Sequence, residues 1–416
     1  MSLISKLRYC RVALTLTLSA GLIASVGTAR AQDVPLGAPA GFEKGAGLEY
    51  GGFAFYNRLQ AGLQGTNNIR QDPTEISDLK TLFEAATVAR STWKEHALAF
   101  TASHVRQDAV ETDDQSSDAT SVTVSGRYDF SKSLSVSGGL LHNEDIVGKN
   151  DPNQFSGNLN GTTVTDTMEG ALDWKGKDYF IHAEGRYDEI DNTTDLDLTV
   201  VSRIQQQDRA ETSAAIQIGR KFDGGKVYII GGGQRYRYSG SDVILPEDRD
   251  SQGARGGVGL EFQNGDWQGI FRVFGFAQYF DAATIGHTID FVGTGQLIWK
   301  ASDTVSLAGK IERNFDETNI EASAGLFTNI ASVGVRYQFR DDAYIKLGPT
   351  YRFYQIEGTT VEAESYTFDM AVAWQVHDRV ELLLNASIAN QLVNDSLISN
   401  LQYDEASITL STVITF

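Results

Sequence analysis

From about residue 51 to its end, the chain alternates between apolar and polar residues with a period of two. In the segment 403–416, one face collects apolar residues together with one threonine: Ala406, Ile408, Leu410, Thr412, Ile414 and Phe416. The other face collects acidic and hydroxyl residues, with Val413 as the one apolar exception: Glu405, Ser407, Thr409, Ser411 and Thr415. Successive side chains of a β-strand point to opposite faces. The segment therefore predicts a strand with one apolar wall and one polar wall.

Segments with this alternation recur along the whole chain and number about eighteen. They cover residues 52–64, 79–91, 97–107, 122–130, 134–143, 163–174, 179–188, 210–222, 226–238, 253–263, 268–280, 287–299, 304–314, 333–339, 345–353, 365–375, 379–391 and 403–416. This pattern predicts an all-β fold, a transmembrane up-and-down antiparallel β-barrel of about 18 strands that occupies residues 51–416.

The connections between these segments alternate between short and long. Short polar turns stand at 94–95, 131–133, 175–178, 223–225, 264–266, 301–303, 341–342 and 376–378. Longer stretches fall between them, at 65–77, 108–118, 144–161, 189–209 and 239–251. Short periplasmic turns opposite long external loops are typical of outer-membrane barrels. With both termini on the periplasmic side, the number of strands must be even.

A soluble β-sandwich also has alternating strands, but three features argue against it. Aromatic residues cap the apolar faces close to the short turns, as in a membrane-interface girdle: Trp93, Phe130, Trp174, Trp267, Trp299, Phe339 and Trp374. The polar faces carry charges along their whole length, which the core of a sandwich would not accept. The chain ends on Phe416 after alternating apolar positions, and this ending is similar to the signal that the outer-membrane assembly machinery recognises.

The beginning of the chain predicts export by a cleaved signal peptide over residues 1–31. Lys6, Arg8 and Arg11 precede an apolar run at 12–26, and small residues occupy the positions that a signal peptidase reads in Ala29-Arg30-Ala31. We expect residues 32–50 to form a short periplasmic segment before the barrel. Cys10, the one cysteine, falls within the signal peptide, so we expect no thiol or disulfide in the mature protein.

The net charge and the hydropathy of the chain restrict the classes of partner that we expect. The formal net charge of −19 argues against nucleic acid, because phosphate binding requires clustered positive charge. After the signal peptide no stretch approaches twenty apolar residues, which argues against membrane-spanning helices. The expected partners are outer-membrane lipid and lipopolysaccharide, together with the outer-membrane assembly machinery. The predicted barrel and the predicted signal peptide together indicate that the protein lies in the outer membrane of a Gram-negative bacterium.

An eighteen-stranded barrel is wide enough for an aqueous channel unless loops or the amino-terminal segment fill it. The predicted inward-facing basic residues are Arg58, Arg90, Arg127, Arg186, Arg235, Arg237, Arg272, Lys310, Arg336, Lys346 and Arg352. The predicted inward-facing acidic residues are Glu84, Asp129, Glu169, Asp173, Glu184, Asp188, Glu261, Asp290, Glu312, Asp369 and Glu381. The two signs are interleaved and nearly balanced. Such charges either set the selectivity of a pore or only pair across strands and keep the lumen wet.

Two further hypotheses concern the lumen. Arg235 and Arg237, opposite a glycine-rich stretch at 256–259, predict a constriction, because glycine permits a kink or an inward-folded loop. Aromatic side chains are also predicted to point inward, where they either stack on sugar rings or support a loop folded into the lumen: Phe180, Phe274, Phe276, Tyr344 and Tyr354.

No cofactor, metal or catalytic motif emerges from the sequence. The cluster "GGVGLEF" at 256–262 does not match the dinucleotide fingerprint and falls within a predicted strand. No histidine shares a recognisable local motif with a serine or an acidic partner. We therefore predict that the protein is not an enzyme.

The segment 52–152 resembles the "putative β-barrel porin 2" family of outer-membrane proteins. "FYNRLQAGLQGTNNIRQ" resembles the family's first strand and its loop with the pair Asn67-Asn68, while "STWKEHALAF" and "SGRYDFSKSLSVSGGLLHNED" resemble its first two periplasmic hairpins. "KLGPTYRFYQ", with Pro349 inside a strand, is similar to its later strands.

The resemblance implies an outer-membrane pore that accompanies exopolysaccharide export, with polysaccharide and periplasmic export components as partners. A general diffusion porin for small solutes and a plugged barrel for structure or surface recognition remain as alternatives.

Overall fold

The computed structural model describes residues 47–71, 73–112, 115–147, 161–193, 208–239, 249–316, 318, 323–394 and 402–416. The predicted signal peptide and residues 32–46 of the predicted periplasmic segment lie outside these residues. The described part contains nineteen strands. They are β1 (Leu48–Tyr50), β2 (Phe53–Thr66), β3 (Asp78–Ser91), β4 (Ala97–Ala109), β5 (Ser117–Ser131), β6 (Leu134–Val147), β7 (Gly161–Lys175), β8 (Tyr179–Thr193), β9 (Arg209–Phe222), β10 (Gly225–Tyr238), β11 (Ser251–Asn264), β12 (Trp267–Phe280), β13 (His287–Lys300), β14 (Val305–Asp316), β15 (Leu326–Arg340), β16 (Ala343–Ile356), β17 (Glu362–His377), β18 (Val380–Val393) and β19 (Tyr403–Thr415).

Strands β2 to β19 form a closed antiparallel ring. Each strand pairs with the next along the chain, and β19 pairs back onto β2 from Ser407↔Thr66 to Thr415↔Arg58. The short strand β1 pairs only with the start of β2. The eighteen-stranded barrel predicted from the alternation is therefore confirmed, and closure pairs every barrel strand with a neighbour on both sides. Among the described residues, no helix is long and apolar enough to span a membrane.

The two faces of the strands differ in chemistry and in crowding. One face carries aliphatic and aromatic side chains that diverge from each other, as Ile229 and Ile289 do at 62% and 67% exposure. The other face carries hydrogen-bonded polar side chains and small residues that crowd together, such as Gln60 and Ala373 at 8% and 1% exposure. Side chains diverge on a convex surface and converge on a concave one. The apolar face is therefore the outside of the barrel, and the polar face is the inside.

The connections at the two ends of the barrel differ as the sequence predicts. Tight turns such as Asp223-Gly224 and Gly265-Asp266 join the strands at one end, and both glycines adopt a positive φ that favours glycine. The connections at the other end are mostly longer, as at 67–77, and β1 and Phe416 lie at the short-turn end. By the usual layout of outer-membrane barrels, the short-turn end is periplasmic and the other end is external.

Register shifts occur close to three short turns, at Asp129/Ser131, Gln338/Arg340 and Gln375/His377, and two further interruptions lie within the wall. Between β15 and β16 the pairing skips Gly348 and Pro349, because proline has no N–H to donate to the neighbouring strand. Between β13 and β14 the pairing stops at Gly293↔Arg313, so the external part of β13 has no partner on that side.

Arg313 bridges the gap between β13 and β14. Its Nε donates to the Phe291 carbonyl oxygen at 3.2 Å, and its Nη2 contacts Asp290 Oδ2 at 2.9 Å. The side chain thus replaces part of the missing backbone pairing.

Aromatic residues form a band on the outer face near the short turns. All seven girdle residues predicted from the sequence are exposed there: Trp93, Phe130, Trp174, Trp267, Trp299, Phe339 and Trp374. Trp267 and Trp299 occupy paired positions of β12 and β13 and stack at 5.1 Å between ring centroids. Indole rings favour the boundary between lipid and water, so this band marks the periplasmic edge of the membrane-embedded wall.

Candidate pore

The strand register places twenty of the twenty-two charged residues proposed as pore-lining on the inner face. The basic residues there are Arg58, Arg90, Arg127, Arg186, Arg272, Lys310, Arg336, Lys346 and Arg352. The acidic residues there are Glu84, Asp129, Glu169, Asp173, Glu184, Asp188, Glu261, Asp290, Glu312, Asp369 and Glu381. The barrel thus gathers residues that are distant in sequence onto one curved surface.

Arg235 and Arg237 lie on the outer face, so their assignment to the lumen is wrong. The pairings of β10 with β9 and β11 run without a bulge, and they keep both arginines on the face of the exposed Val227 and Ile229. Tyr236, between the two arginines, is 6% exposed and faces inward. The constriction proposed at these two arginines is therefore wrong as well.

Sequence analysis missed several inner-face residues. Arg255 shares a face of β11 with Glu261, so the parity of that strand alone would have identified it. Lys226 and His182 also face inward, where each contacts acidic side chains. Lys226 lies near a turn in a strand with aromatic residues on its inner face, and no sequence motif marks it.

Glu261 is the centre of a charged network on the inner faces of β10, β11 and β12. Lys226 Nζ lies 3.0 Å from Glu261 Oε2, and Arg272 Nη2 lies 3.2 Å from Oε1. Tyr228 Oη donates to Glu261 Oε1 at 3.0 Å and accepts from Arg272 Nε at 2.8 Å. The network satisfies the carboxylate from both sides, so its charge is neutralised within the wall.

A second network covers the inner faces of β7 and β8. His182 contacts Asp173 through Nδ1 at 3.0 Å and Glu184 through Nε2 at 3.2 Å. Further along β8, towards its external end, Arg186 Nε lies 2.7 Å from Asp188 Oδ2, and Thr167 Oγ1 donates to Asp188 Oδ1 at 2.5 Å. Acidic side chains outnumber basic ones on this side of the lumen, because Asp173, Glu169, Glu184 and Asp188 surround His182 and Arg186.

A third network lies where the first and last barrel strands meet. Arg58 forms an ion pair with Glu84 and donates to Gln60 Oε1 at 2.6 Å. Gln60 Nε2 then donates to Ser411 Oγ at 3.0 Å. These contacts connect β3, β2 and β19 through their inner-face side chains, in addition to the backbone pairing.

Inward aromatic rings are mostly engaged by cations. Lys226 Nζ lies 5.2 Å from the centre of the Phe180 ring, and the Arg255 guanidinium lies 6.0 Å from that of Phe274. The guanidinium of Arg336 lies 4.2 Å from the centre of the Tyr344 ring. Cation–π contacts of this kind hold the long basic side chains against the wall.

The external end of the lumen is narrowed by contacts between loops. Arg249, which precedes β11, is 2% exposed, and its Nη2 donates to the Ser323 carbonyl oxygen, before β15, at 3.0 Å. The starts of β11 and β15 are four strand positions apart, or roughly 19 Å along the wall at about 4.8 Å per strand. The two loops must therefore lean away from the wall to meet.

Aromatic packing shows that the external ends of β14 and β15 lean inward. Phe276, on the inner face of β12, contacts Phe315 and Phe327 at 5.0 and 6.3 Å between ring centroids. Phe315 and Phe327 in turn pack at 5.0 Å. We call Arg249, Ser323, Phe276, Phe315 and Phe327 the mouth cluster. These contacts narrow the external end of the lumen, and they involve residues at β11, β12, β14 and β15 rather than the two arginines of β10 that the sequence suggested.

Within the described ranges, no three histidine, cysteine or acidic side chains lie close enough together to hold a metal ion.

A closed eighteen-stranded barrel with an apolar outer face, an aromatic girdle and a polar inner face defines an outer-membrane β-barrel of the porin type. The chain belongs to the family described as "Putative beta-barrel porin 2", whose model matches residues 42–416. The resemblance seen in the sequence is thereby confirmed. Porin-family barrels are typically non-enzymatic.

Solved structures with detectable likeness are distant in sequence. OccAB3 from Acinetobacter baumannii has 9% identity and a TM-score of 0.49, and the match covers 88% of this chain and 99% of that one. The FrpB iron transporter from Neisseria meningitidis has 7% identity and a TM-score of 0.48, with 89% and 82% covered. The siderophore receptor PirA from Pseudomonas aeruginosa has 8% identity and a TM-score of 0.43, with 87% and 80% covered. The comparison with curated proteins finds no significant match.

Proposed function

We propose that this outer-membrane barrel is a passive conduit for a hydrophilic polymer, with exopolysaccharide leaving the cell as its cargo. The observation that supports the proposal is the lining of paired charges along the inner face. Lys226 and Arg272 contact the Glu261 carboxylate from the two neighbouring strands at 3.0 and 3.2 Å, and Arg186 contacts Asp188 within β8 at 2.7 Å. The export context comes from the family resemblance.

Paired charges suit a neutral, hydroxyl-rich chain. Each carboxylate that is satisfied by its own arginine or lysine has little affinity left for a free ion, so the wall does not trap salt. The remaining lone pairs and N–H groups still exchange hydrogen bonds with passing hydroxyl groups or with water. The wall therefore supplies hydrogen bonds to a passing sugar chain in place of bulk water, and it holds no single sugar unit strongly.

Further partners belong to the same proposal. The assembly machinery would recognise the alternating end of the chain with Phe416, and outer-membrane lipid and lipopolysaccharide would surround the apolar face. Periplasmic export components would deliver the polymer to the short-turn end of the barrel.

The mouth cluster favours a second candidate, diffusion of small hydrophilic solutes. Contact between Arg249 and Ser323 narrows the external opening on one side of the barrel. A conduit for a polymer must keep this opening wide enough for a sugar chain, whereas a diffusion porin needs passage only for single small molecules.

Deletion of the gene, with complementation, separates the two candidates. The proposal predicts that the deletion strain secretes much less exopolysaccharide, retains polymer in the cell and takes up small hydrophilic antibiotics at the normal rate. Complementation with the full-length chain restores secretion. Unchanged polymer secretion combined with slower uptake of small solutes contradicts the proposal and supports the diffusion porin.

A further inference from the structure

Arg235 and Arg237 are basic residues on the outer face of a membrane barrel, and that position needs an explanation. They share the outer face of β10 with Val227 and Ile229, and all four side chains are exposed. Among the residues that the structure describes, neither guanidinium has a hydrogen bond or an ion pair. A charge on the lipid-facing side is costly at the middle of the membrane, and the cost falls towards the interface.

The arginines lie at the external end of the wall. β10 begins at the short turn 223–224 and ends at Tyr238, just after Arg237. Towards the periplasmic end, the outer face of this region is apolar, with Val227 and Ile229 beside Ile216 and Ile218 of β9. This part of the outer surface is therefore amphipathic along the strand direction: it is apolar towards the periplasmic end and cationic towards the external end.

Arg235 also belongs to a continuous row of outward side chains across six paired strands. Tyr187 pairs with Thr212, Thr212 with Arg235, Arg235 with Gln252, Gln252 with Tyr279, and Tyr279 with His287. Tyr279 and His287 stack at 5.9 Å between ring centroids. The row presents hydroxyl, guanidinium and amide groups between two tyrosines of the kind found at membrane interfaces, with the His287 imidazole beyond the second tyrosine.

We propose that this row, with Arg237 beside it, binds the phosphorylated headgroup of lipid A in the outer leaflet. The guanidinium groups supply charge and paired N–H donors for a phosphate. The hydroxyl and amide groups of Tyr187, Thr212, Gln252 and Tyr279 match the sugar of the headgroup, and the apolar rows below match its acyl chains. Two outward acids flank Arg237. Glu189 of β8 is two strands away, because it pairs with Ala210, which in turn pairs with Arg237. Asp250 lies directly before β11, on the strand next to Arg237, and its Oδ1 accepts from Tyr238 N at 2.8 Å. Neither of these two acids forms an ion pair with Arg237.

The test is a binding titration on protein refolded in detergent without lipopolysaccharide. Diphosphorylated lipid A is titrated into the wild type and the R235S/R237S variant, and binding is followed by native mass spectrometry. The R106S/R220S variant is the matched control. It also removes two outward arginines, but Arg106 contacts Asp108 on β4 at 2.8 Å and Arg220 lies at the short-turn end of β9.

The proposal predicts that R235S/R237S weakens lipid A binding at least about tenfold, while R106S/R220S stays within about twofold of the wild type. Dephosphorylated lipid A should bind wild type and R235S/R237S equally. Equal loss in both variants, or no loss in R235S/R237S, overturns the proposal. If R235S/R237S does not fold, the single R237S variant at the strand end carries the same test, with a loss of roughly threefold or more expected.

Discussion

Asn57 and Phe416 exchange two backbone hydrogen bonds, at 2.8 Å from Asn57 N to Phe416 O and at 3.0 Å from Phe416 N to Asn57 O. These bonds join the last residue of the chain to the first barrel strand. Phe416 also presents its ring on the outer face, where it is 45% exposed. The final residue thus completes the ring of strands and extends the apolar face at the periplasmic edge.

Deletion of Phe416 is expected to destabilise the closed barrel by about 1–3 kcal/mol, because two backbone hydrogen bonds at the closure are lost. Urea unfolding of the protein in lipid vesicles measures this change. F416A keeps the backbone and removes only the ring, so its loss in vesicles should be smaller. Equal stability of the wild type and the deletion variant would show that these two bonds do not hold the closure.

The ion pair of Arg58 with Glu84 is expected to stabilise the wall near the closure. E84Q removes the charge that Arg58 faces and should cost about 1–3 kcal/mol, the range for hydrogen bonds to charged groups. A double-mutant cycle with R58Q measures the coupling by urea unfolding. Because both side chains are only partly exposed, at 18% and 23%, the coupling should exceed that of Arg106 with Asp108, exposed at 59% and 44%. A coupling no larger than that of the exposed pair would contradict this prediction.

The mouth cluster is expected to limit conductance. F315A removes the ring that contacts both Phe276 and Phe327, so the loop should pack less tightly and the single-channel conductance should rise. Y344A is the control, because Tyr344 is an inner-face aromatic at the start of β16, close to the short turn 341–342. If the conductance rises in Y344A but not in F315A, the narrowing lies at the short-turn end of the barrel and not at the mouth cluster, which would contradict the prediction.

Asp342, in a short periplasmic turn, provides a pH-dependent contact. Partial loss of water raises the pKa of its carboxyl group, but the Trp374 indole, the Asp342 backbone N–H and Arg340 together lower the pKa below the ordinary 3.8. Trp374 Nε1 donates to Oδ2 at 3.2 Å, and Arg340 Nε donates to Oδ1 at 2.9 Å. The pKa of Asp342 is lower in the folded protein than in the unfolded chain. The contact of the Asp342 carboxylate with Trp374 and Arg340 is therefore fully present above pH 3.8 and is lost as the pH falls through the folded pKa.

The NMR signal of the Trp374 indole N–H should therefore titrate with a midpoint below pH 3.8. R340Q removes one of the groups that lower the pKa of Asp342 and should move the midpoint upwards. Asp341, the neighbouring residue in the same turn, provides the control substitution D341N, which should leave the midpoint nearly unchanged. A midpoint in R340Q at or below that of the wild type would exclude Arg340 as a cause of the shift.

The sequence predicts the barrel well because alternation and turn lengths are local signals. Val122 to Phe130, Val333 to Phe339 and 403–416 each show the alternation, the last with Val413 as an exception, and each forms the expected strand. Strand β10 shows where such reasoning fails. Tyr228, Ile230 and Tyr236 place apolar and aromatic residues on its inner face, so the pattern alone does not tell its two faces apart. Only the register with β9 and β11 fixes them.

Contacts between distant segments lie beyond what local patterns predict. Arg249 and Ser323 meet because two loops lean over the lumen, and no property of either sequence segment indicates this. The same holds for Arg313, which bridges β13 and β14 only because their backbone pairing stops. Inner-face charges are predictable from parity, whereas their partners across the wall depend on the closed ring.

Cysteine scanning in planar bilayers tests the central claim, that alternate residues line a watery pore. Cys10 is the only cysteine of the sequence, so thiols introduced into a C10S variant have no background. On β5, T123C places a thiol on the inner face and V124C places one on the outer face. The account predicts a steady conductance in both variants and a drop on adding a charged thiol reagent in T123C alone. No steady conductance, or the same response in both variants, would contradict it.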